Sequence, residues 1–322
     1  MSQPALEFEV PRERAGQPLD ELLLAHVPGR SKAQLQKLVR LGRVLVDGQV
    51  QARSHLTLRA GQRVRVFFEA PPKPAPSASA VAAAAAAEVE WLHVDEALVV
   101  LNKPVGLLVQ PNEKQQRDTV ADLLVRRFGP IEAAPRGEKA GLVHRLDRET
   151  SGVLLAARTR EAQLFLVDEF RQRRVEKRYL ALVHGVPKVD RFDVDLALGQ
   201  HPKYEDVQRP DPRGAPALTR CEVLERFPRA GGGEGRALIL CRPESGRRHQ
   251  IRVHLAAVGH PIVGDKLYRP EGRSSASKEL ASHALHAAEI RVRHPLTQRP
   301  LEFRAPLPEP YARLLDSLRQ ER

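Results

Sequence analysis

The sequence predicts an α+β protein: a mixed, mainly antiparallel sheet with peripheral helices, preceded by a small, basic α/β module. Three observations carry that expectation. Residues 70–88, APPKPAPSASAVAAAAAAE, hold almost nothing that packs and divide the 322-residue chain unequally. The part before them reads helix, helix, short strands. The part after them alternates apolar strand-like runs with amphipathic helical runs, the pattern of a sheet flanked by helices. The expected organisation is a domain over 1–69, a Pro/Ala-rich linker over 70–88 and a larger domain over 89–322.

In the first module, PLDELLLAHV (18–27) has apolar residues at helical spacing. SKAQLQKLVRLG (31–42) opens with Ser31, has Gln34 three residues on, and places Gly42 just past the end, so it predicts a capped second helix. RVLVDGQV (43–50) holds Asp47-Gly48 between apolar residues and predicts a hairpin, and AGQRVRVFF (60–68) alternates and closes a small sheet. Arg30, Lys32, Lys37, Arg40 and Arg43 cluster on and around the second helix. They form either a phosphate-facing surface or simply the solvated side of that helix.

In the larger domain, ALVVLNKP (97–104) predicts a buried strand running into a turn, and TVADLLVRRFG (119–129) a short amphipathic helix. GLVHRLDRETSGVLLAA (141–157) reads strand, polar loop, strand. TREAQLFLVDEFRQRRV (159–175) is a helix capped by Thr159, and KRYLALVHG (177–185) is a strand. TRCEVLERF (219–227) and RALILCRPE (236–244), joined through AGGGEG, predict a hairpin with a long glycine loop. RRHQIRVHLAAVG (247–259) predicts a helix, and LHAAEIRVRHP (285–295) with PLEFRAPLP (300–308) a further strand pair.

Composition narrows the partners. The chain carries 52 Lys and Arg against 40 Asp and Glu, which favours a polyanion. No apolar run approaches the length of a spanning helix, and MSQPALEFEV has neither a basic nor an apolar leader region, so the expectation is a cytoplasmic protein with no membrane association. The two cysteines, Cys221 and Cys241, cannot make a disulfide framework and lack metal spacing. His249, His254 and His260 form no i, i+4 pair. No metal and no cofactor is expected, since Gly-rich phosphate loops and nucleophile elbows are missing too. The expected oligomeric state is a monomer.

Three segments carry unusual polarity beside apolar strands: HRLDRETSG (144–152), EKRYLALVHG (176–185) and ESGRRHQIRVHLAAVGHPIVGDKLY (244–268). If they converge, they bring together one carboxylate (Asp147), a phenol (Tyr179) and an arginine (Arg247 or Arg252). An aspartate kept ionised by arginine can attack an electrophilic carbon without a general base. A salt-bridged structural turn explains the same residues equally simply. A lone carboxylate does not suit a standard glycosidase, which needs two.

Two resemblances bear on that choice. Residues 17–68 resemble the small S4-like RNA-binding domain first known from a small-subunit ribosomal protein, with Gln17-Pro18-Leu19-Asp20 where that family opens Arg-Leu-Asp. Residues 91–308 resemble the RluA-type branch of the ribosomal RNA pseudouridine synthases. HRLDRETSG fits its signature throughout. LNKPVGLLV (101–109) fits an earlier motif, and GRRHQIRVHL with GHPIVGDKLY a later one, in which Arg248 replaces the more usual Thr, Ser or Lys.

The resemblance implies a pseudouridine synthase fold and an isomerase acting on uridine in RNA. Ribosomal RNA is the expected substrate, with transfer RNA, or a binding role without catalysis, as the alternatives. It implies Asp147 as nucleophile, Tyr179 packed on the target base with a part in the final deprotonation at C5, and Arg252 paired with Asp147. Arg145 would hold the RNA open near the flipped nucleotide, with Arg148, Arg247 and His249 as further RNA contacts. His144 and His249 read as hydrogen-bonded structural residues, and Gly152 and Gly246 as requirements of backbone shape. Leu285 and His286 would wall the cleft, and Lys103 and Pro104 would set a loop over it. Whether Asp147 attacks C1′, attacks C6 or abstracts a sugar proton stays open at the level of sequence.

Overall fold

The computed structural model describes residues 5–51, 53–68, 89–111, 119–135, 137–204, 206–228, 235–268, 280 and 282–321. The linker expected over 70–88 and most of the AGGGEG loop lie outside the described residues. The chain divides into two compact units, residues 1–83 and 84–322.

The first unit contains β1 (Ala5–Glu9), one turn of 3-10 helix (Arg12–Arg14), α1 (Leu19–His26), α2 (Lys32–Arg40), β2 (Val44–Val46), β3 (Gln49–Val50) and β4 (Arg63–Phe67). Its antiparallel sheet runs β1-β4-β2-β3. The capping box at Ser31 forms: its hydroxyl accepts the Gln34 amide, and the Gln34 side chain accepts the Ser31 amide at 2.9 Å. Asp47 and Gly48 both have positive φ, 50° and 80°, as a tight hairpin turn requires. Leu19, Leu22, Leu35, Val64 and Val66, all fully buried, fasten the two helices to the sheet. β1 was not expected. Its ALEFE alternates, and β4 gives it an edge to pair with.

The second unit contains β5 (Glu90–Val94), β6 (Leu98–Lys103), α3 (Val120–Phe128), β7 (Ser151–Ala157), α4 (Arg160–Arg171), β8 (Glu176–His184), β9 (Arg191–Asp195), β10 (Leu198–Gln200), β11 (Gln208–Pro210), β12 (Leu218–Phe227), β13 (Arg236–Pro243), α5 (Gln250–Ala257), β14 (Leu285–Arg293), β15 (Pro300–Arg304) and α6 (Glu309–Gln320). The main sheet runs β5-β6-β7-β14-β8-β13-β12-β9, with β15 on β14. Among the described residues only the β7–β14 junction is parallel; the other pairings are antiparallel, giving the mixed, mainly antiparallel α+β sheet. β7 is buried along all seven residues, as a central strand covered on both faces should be. Thr159 caps α4 as its position predicts, and Thr119 likewise caps α3. Among the described residues no helix is long and apolar enough to cross a membrane.

Four local expectations are corrected. Residues 141–143 are not a strand. Leu142 makes a single bridge to Ala156, and the next amide on β7, Leu155, donates instead to the His144 ring at 2.9 Å, so a side chain ends the ladder. The helix expected over 247–259 begins at Gln250, because His249 stands in the left-handed region (φ 57°) as its N-cap. His286 does not face the cleft; it is fully buried, held by the Ser151 hydroxyl at 2.9 Å and the Ala305 carbonyl at 3.0 Å. Gly246 has ordinary φ and open space where a Cβ would stand, unlike Gly152, whose φ is 114° and whose Cβ would lie 2.2 Å from the Ala287 carbonyl oxygen.

Candidate active site

The three polar segments converge on a cleft of about 300 Å³. Its walls are the loop before β7, the start of β8, the turn leading into α5, and Leu285 at the head of β14. Asp147, Tyr179 and Arg252 all line it, with Arg145, Arg247 and His249. Arg148 does not; its Nε donates to the Gly106 carbonyl at 2.9 Å, turning the side chain toward a neighbouring loop.

The Asp147 loop is fastened from below. Lys103, at the end of β6, is wholly buried and its ammonium donates to three carbonyls: Pro104 at 2.8 Å, Leu107 at 2.9 Å and Arg148 at 3.1 Å. The Gly106 amide meets the Arg148 carbonyl as well, at 2.8 Å. Burial pulls the Lys103 ammonium down to about 7, against the attraction of Asp147 and Glu149. Three acceptors are matched only by the protonated form, which has three N–H donors.

Arg252, on α5 and 6% exposed, joins two carboxylates. Its Nε and Nη2 donate to the two oxygens of Asp265, at 2.7 and 3.0 Å, and its Nη1 donates to Asp147 Oδ2 at 3.0 Å. The guanidinium lies over the Tyr268 ring, 5.0 Å from its centre. Asp265 also accepts the amides of Leu267 and Tyr268, so it is fixed before it fixes the arginine. Neither Asp265 nor Tyr268 was assigned a role from sequence, although both stand inside GHPIVGDKLY.

The electrostatics follow from this packing. Burial raises the Asp147 carboxyl, but the neighbouring His249 and Arg252 and the Arg252 hydrogen bond outweigh it, and the net shift is downward. Burial holds His249 itself down to about 4, so near neutral pH the positive charge beside Asp147 is that of Arg252. His249 Nδ1 meets the Tyr268 hydroxyl at 2.6 Å, and that hydroxyl accepts the Gln208 amide at 2.8 Å. With Tyr268 donating, the His249 proton sits on Nε2, which faces Asp147 Oδ2 at 3.8 Å. Tyr179 is shifted strongly upward by burial and by the Asp147 charge, so its phenol is neutral at ordinary pH. Lys177, also in the cleft, is lowered to about 8 by burial and by Arg173.

The other expected residues are placed as follows. Arg145 is exposed at the cleft, and Arg247 donates to the Pro216 carbonyl at 3.3 Å. Arg248 pairs with Asp206 at 2.7 Å. His144 is half-buried, stacks on Phe170 and is lowered to about 3 by desolvation and by Lys177. In the first unit Arg30, Lys37 and Arg40 are exposed. Lys32 lies 3.5 Å from the buried carboxylate of Asp20, and Arg43 donates to the Phe68 carbonyl at 2.9 Å.

An arrangement of this kind provides one ionised carboxylate, a neutral phenol and a rim of cations, and it suits nucleophilic work on an anionic polymer. Comparison with known proteins agrees. Residues 97–257 match the family described as RNA pseudouridylate synthase, and residues 17–64 match the S4 domain. The chain is 34% identical over 321 residues to ribosomal large subunit pseudouridine synthase D of Xanthomonas campestris pv. campestris, covering 97% of this chain and 92% of that protein. It is 30% identical over 330 residues to the protein of the same name from Haemophilus influenzae, covering 100% and 97%. Among solved structures, human RNA pseudouridylate synthase domain containing 4 superposes with a TM-score of 0.56 at 27% identity, covering 74% of this chain and 96% of that one. Human RNA pseudouridylate synthase domain containing 1 gives 0.55 at 26%, covering 72% and 95%. The chain belongs to the RNA pseudouridylate synthase family, isomerases of uridine in RNA, and carries an S4 domain ahead of its catalytic unit.

Proposed function

We propose that the protein converts uridine to pseudouridine in large-subunit ribosomal RNA, with Asp147 as the nucleophile. One observation carries the reading of the site: among the cations of the cleft, Asp147 is held ionised by Arg252 at 3.0 Å and needs no base to activate it. The names of the relatives similar to this chain support the choice of ribosomal over transfer RNA.

On this reading the target uridine leaves its stack and enters the cleft, which is cheapest in loop or single-stranded RNA. The N1–C1′ bond breaks, the uracil turns, and C5 bonds to C1′. The C5 proton is then lost and N1 ends protonated, so nothing is consumed. Tyr179 packs on the base as a neutral phenol. Its raised pKa argues against a phenolate base at C5 and leaves the Asp147 carboxylate or water to take that proton. Arg145 at the cleft mouth and Arg247 on the facing turn contact the displaced strand, while Arg30, Lys37 and Arg40 of the S4 unit meet phosphates elsewhere.

The test is a pseudouridine map of ribosomal and transfer RNA from cells lacking the gene and complemented with the wild-type or Asp147→Asn form. A large-subunit position restored by the wild type alone is the expected result. A position restored equally by Asp147→Asn would remove the nucleophile assignment, and one lost only from transfer RNA would remove the substrate assignment.

A further inference from the structure

Beside the catalytic cleft lies a second groove, of about 370 Å³, whose lining includes five basic residues, Arg173, Lys177, Arg178, Arg220 and Arg242, against two carboxylates. Lys177, Pro243 and Glu244 line both hollows, so the two share a wall. Three of the arginines stand abreast on neighbouring strands. Arg220 of β12 is the direct cross-strand partner of Arg242 of β13. Arg178 of β8 comes next in that row, because the adjacent residues Cys241 and Tyr179 are paired in the antiparallel register of β13 on β8. By the alternation of strands, the row points away from the face that carries Tyr179.

Like charges directly opposite one another destabilise a sheet. Each arginine of this row has a carboxylate beside it, Glu222 2.8 Å from Arg242, Glu244 2.6 Å from Arg220 and Glu289 3.3 Å from Arg178, so the excess positive charge of the groove is that of Arg173 and Lys177. The arginine side chains nonetheless stay open to solvent, at 57% for Arg220 and 42% for Arg242. Arg173, 56% exposed at the groove, adopts left-handed backbone (φ 57°), which disfavours a residue with a Cβ. Among the described residues its carboxylate partner is Glu244, at 3.6 Å and already engaged by Arg220. Positive charge therefore exceeds negative in a hollow that continues from the reaction site.

The substrate of this enzyme is a polyanion. A uridine placed in the cleft has RNA on both sides, and a strand leaving over the Lys177–Glu244 wall reaches the arginine row by passing round the ends of β8 and β13 to the other face of the sheet. We propose that this groove binds phosphodiesters of the RNA strand next to the target nucleotide. The inference rests on the family's activity on RNA and not on which RNA is modified.

The experiment compares the full chain with its Arg220→Gln/Arg242→Gln form, binding a single-stranded RNA of about 60 nucleotides by fluorescence anisotropy across a salt series. Each phosphate contact on single-stranded RNA contributes about 0.7 to the slope of log affinity against log salt, so the double variant should lose about 1.4 and bind about tenfold more weakly at low salt. Arg220→Lys/Arg242→Lys keeps the charges and should keep the slope. Arg313→Gln/Arg319→Gln on α6, outside the groove, should leave it unchanged. An unaltered slope in the glutamine variant would overturn the proposal. So would an equal loss in the lysine variant, which would assign the row to folding.

Discussion

Asp265 grips Arg252 with both carboxylate oxygens, at 2.7 and 3.0 Å, and by doing so leaves Nη1 as the donor for Asp147. The guanidinium cannot turn away from Asp147 without breaking a bidentate pair in a buried setting. Asp265 thereby positions the arginine that keeps Asp147 ionised.

Replacing Asp265 by Asn keeps the shape but removes one negative charge. The full field of Arg252 then falls on Asp147, whose pKa moves further down. The acid limb of the turnover profile should shift to lower pH, and misorientation of the pair should reduce turnover about 100-fold. Asp265→Ala, which leaves the arginine half-paired in the interior, should also cost about 3–5 kcal/mol of stability. Turnover against pH for the Asn form is decisive: a wild-type rate with an unmoved acid limb would show that Asp265 does not act through Arg252.

Acid sensitivity should come first from histidines. Burial holds His249 and His283 down to about 4 from 6.5. Between those values the unfolded chain binds more protons than the folded one, so stability rises with pH there and is lost as pH falls from 6.5 toward 4. Each group can account for up to about 3 kcal/mol of that loss. Urea melts at stepped pH check this, and His283→Gln should flatten the slope between pH 6.5 and 4. An unchanged slope would mean that His283 is not held neutral.

The two glycines of the signature segments should part company. Gly152→Ala places a methyl group 2.2 Å from the Ala287 carbonyl oxygen at a φ of 114°, and should cost about 3 kcal/mol or more. Gly246→Ala meets no atom within 4 Å and should stay within about 0.5 kcal/mol of the parent. Thermal melts of the two forms separate these expectations, and equal losses would contradict the packing described for Gly152.

Tyr179, shifted upward by burial and by Asp147, should add no alkaline rise to the rate. Tyr179→Phe should lower turnover while keeping the shape of the pH profile on the alkaline side. A wild-type rate that climbs with pH and loses that climb in Tyr179→Phe would instead establish a phenolate base.

The elements that were legible in sequence are those that carry their own punctuation. Ser31 with Gln34 and Thr159 each announce a helix start through a hydrogen bond made within four residues, and Asp47-Gly48 announces a turn for the same local reason. β1, β9, β10 and β11 have no such signal; they are short edges defined by the strand they pair with. The same distinction divides the site. The pairing of Asp147 with Arg252 is legible through the motifs around them. Asp265 stands unmarked in the sequence, because choosing among nearby carboxylates requires knowing how the chain returns after α5. Gly246 was assigned a backbone role on identity alone. His286 was given to the cleft because alternation could not be phased without the register of β14 on β8.

The parallel junction between β7 and β14 consists of only two residue pairs, His286 with Ser151 and Ala287 with Gly152, drawn from positions 135 apart in the chain. Most other main-sheet neighbours are closer in sequence and can meet earlier, since loop closure costs less over short separations. The junction also lies at the cleft, with Asp147 just before β7 and Leu285 at the head of β14. The wide sequence separation predicts that this seam closes late in folding, and its closure brings the Asp147 loop and Leu285 together as two walls of the cleft.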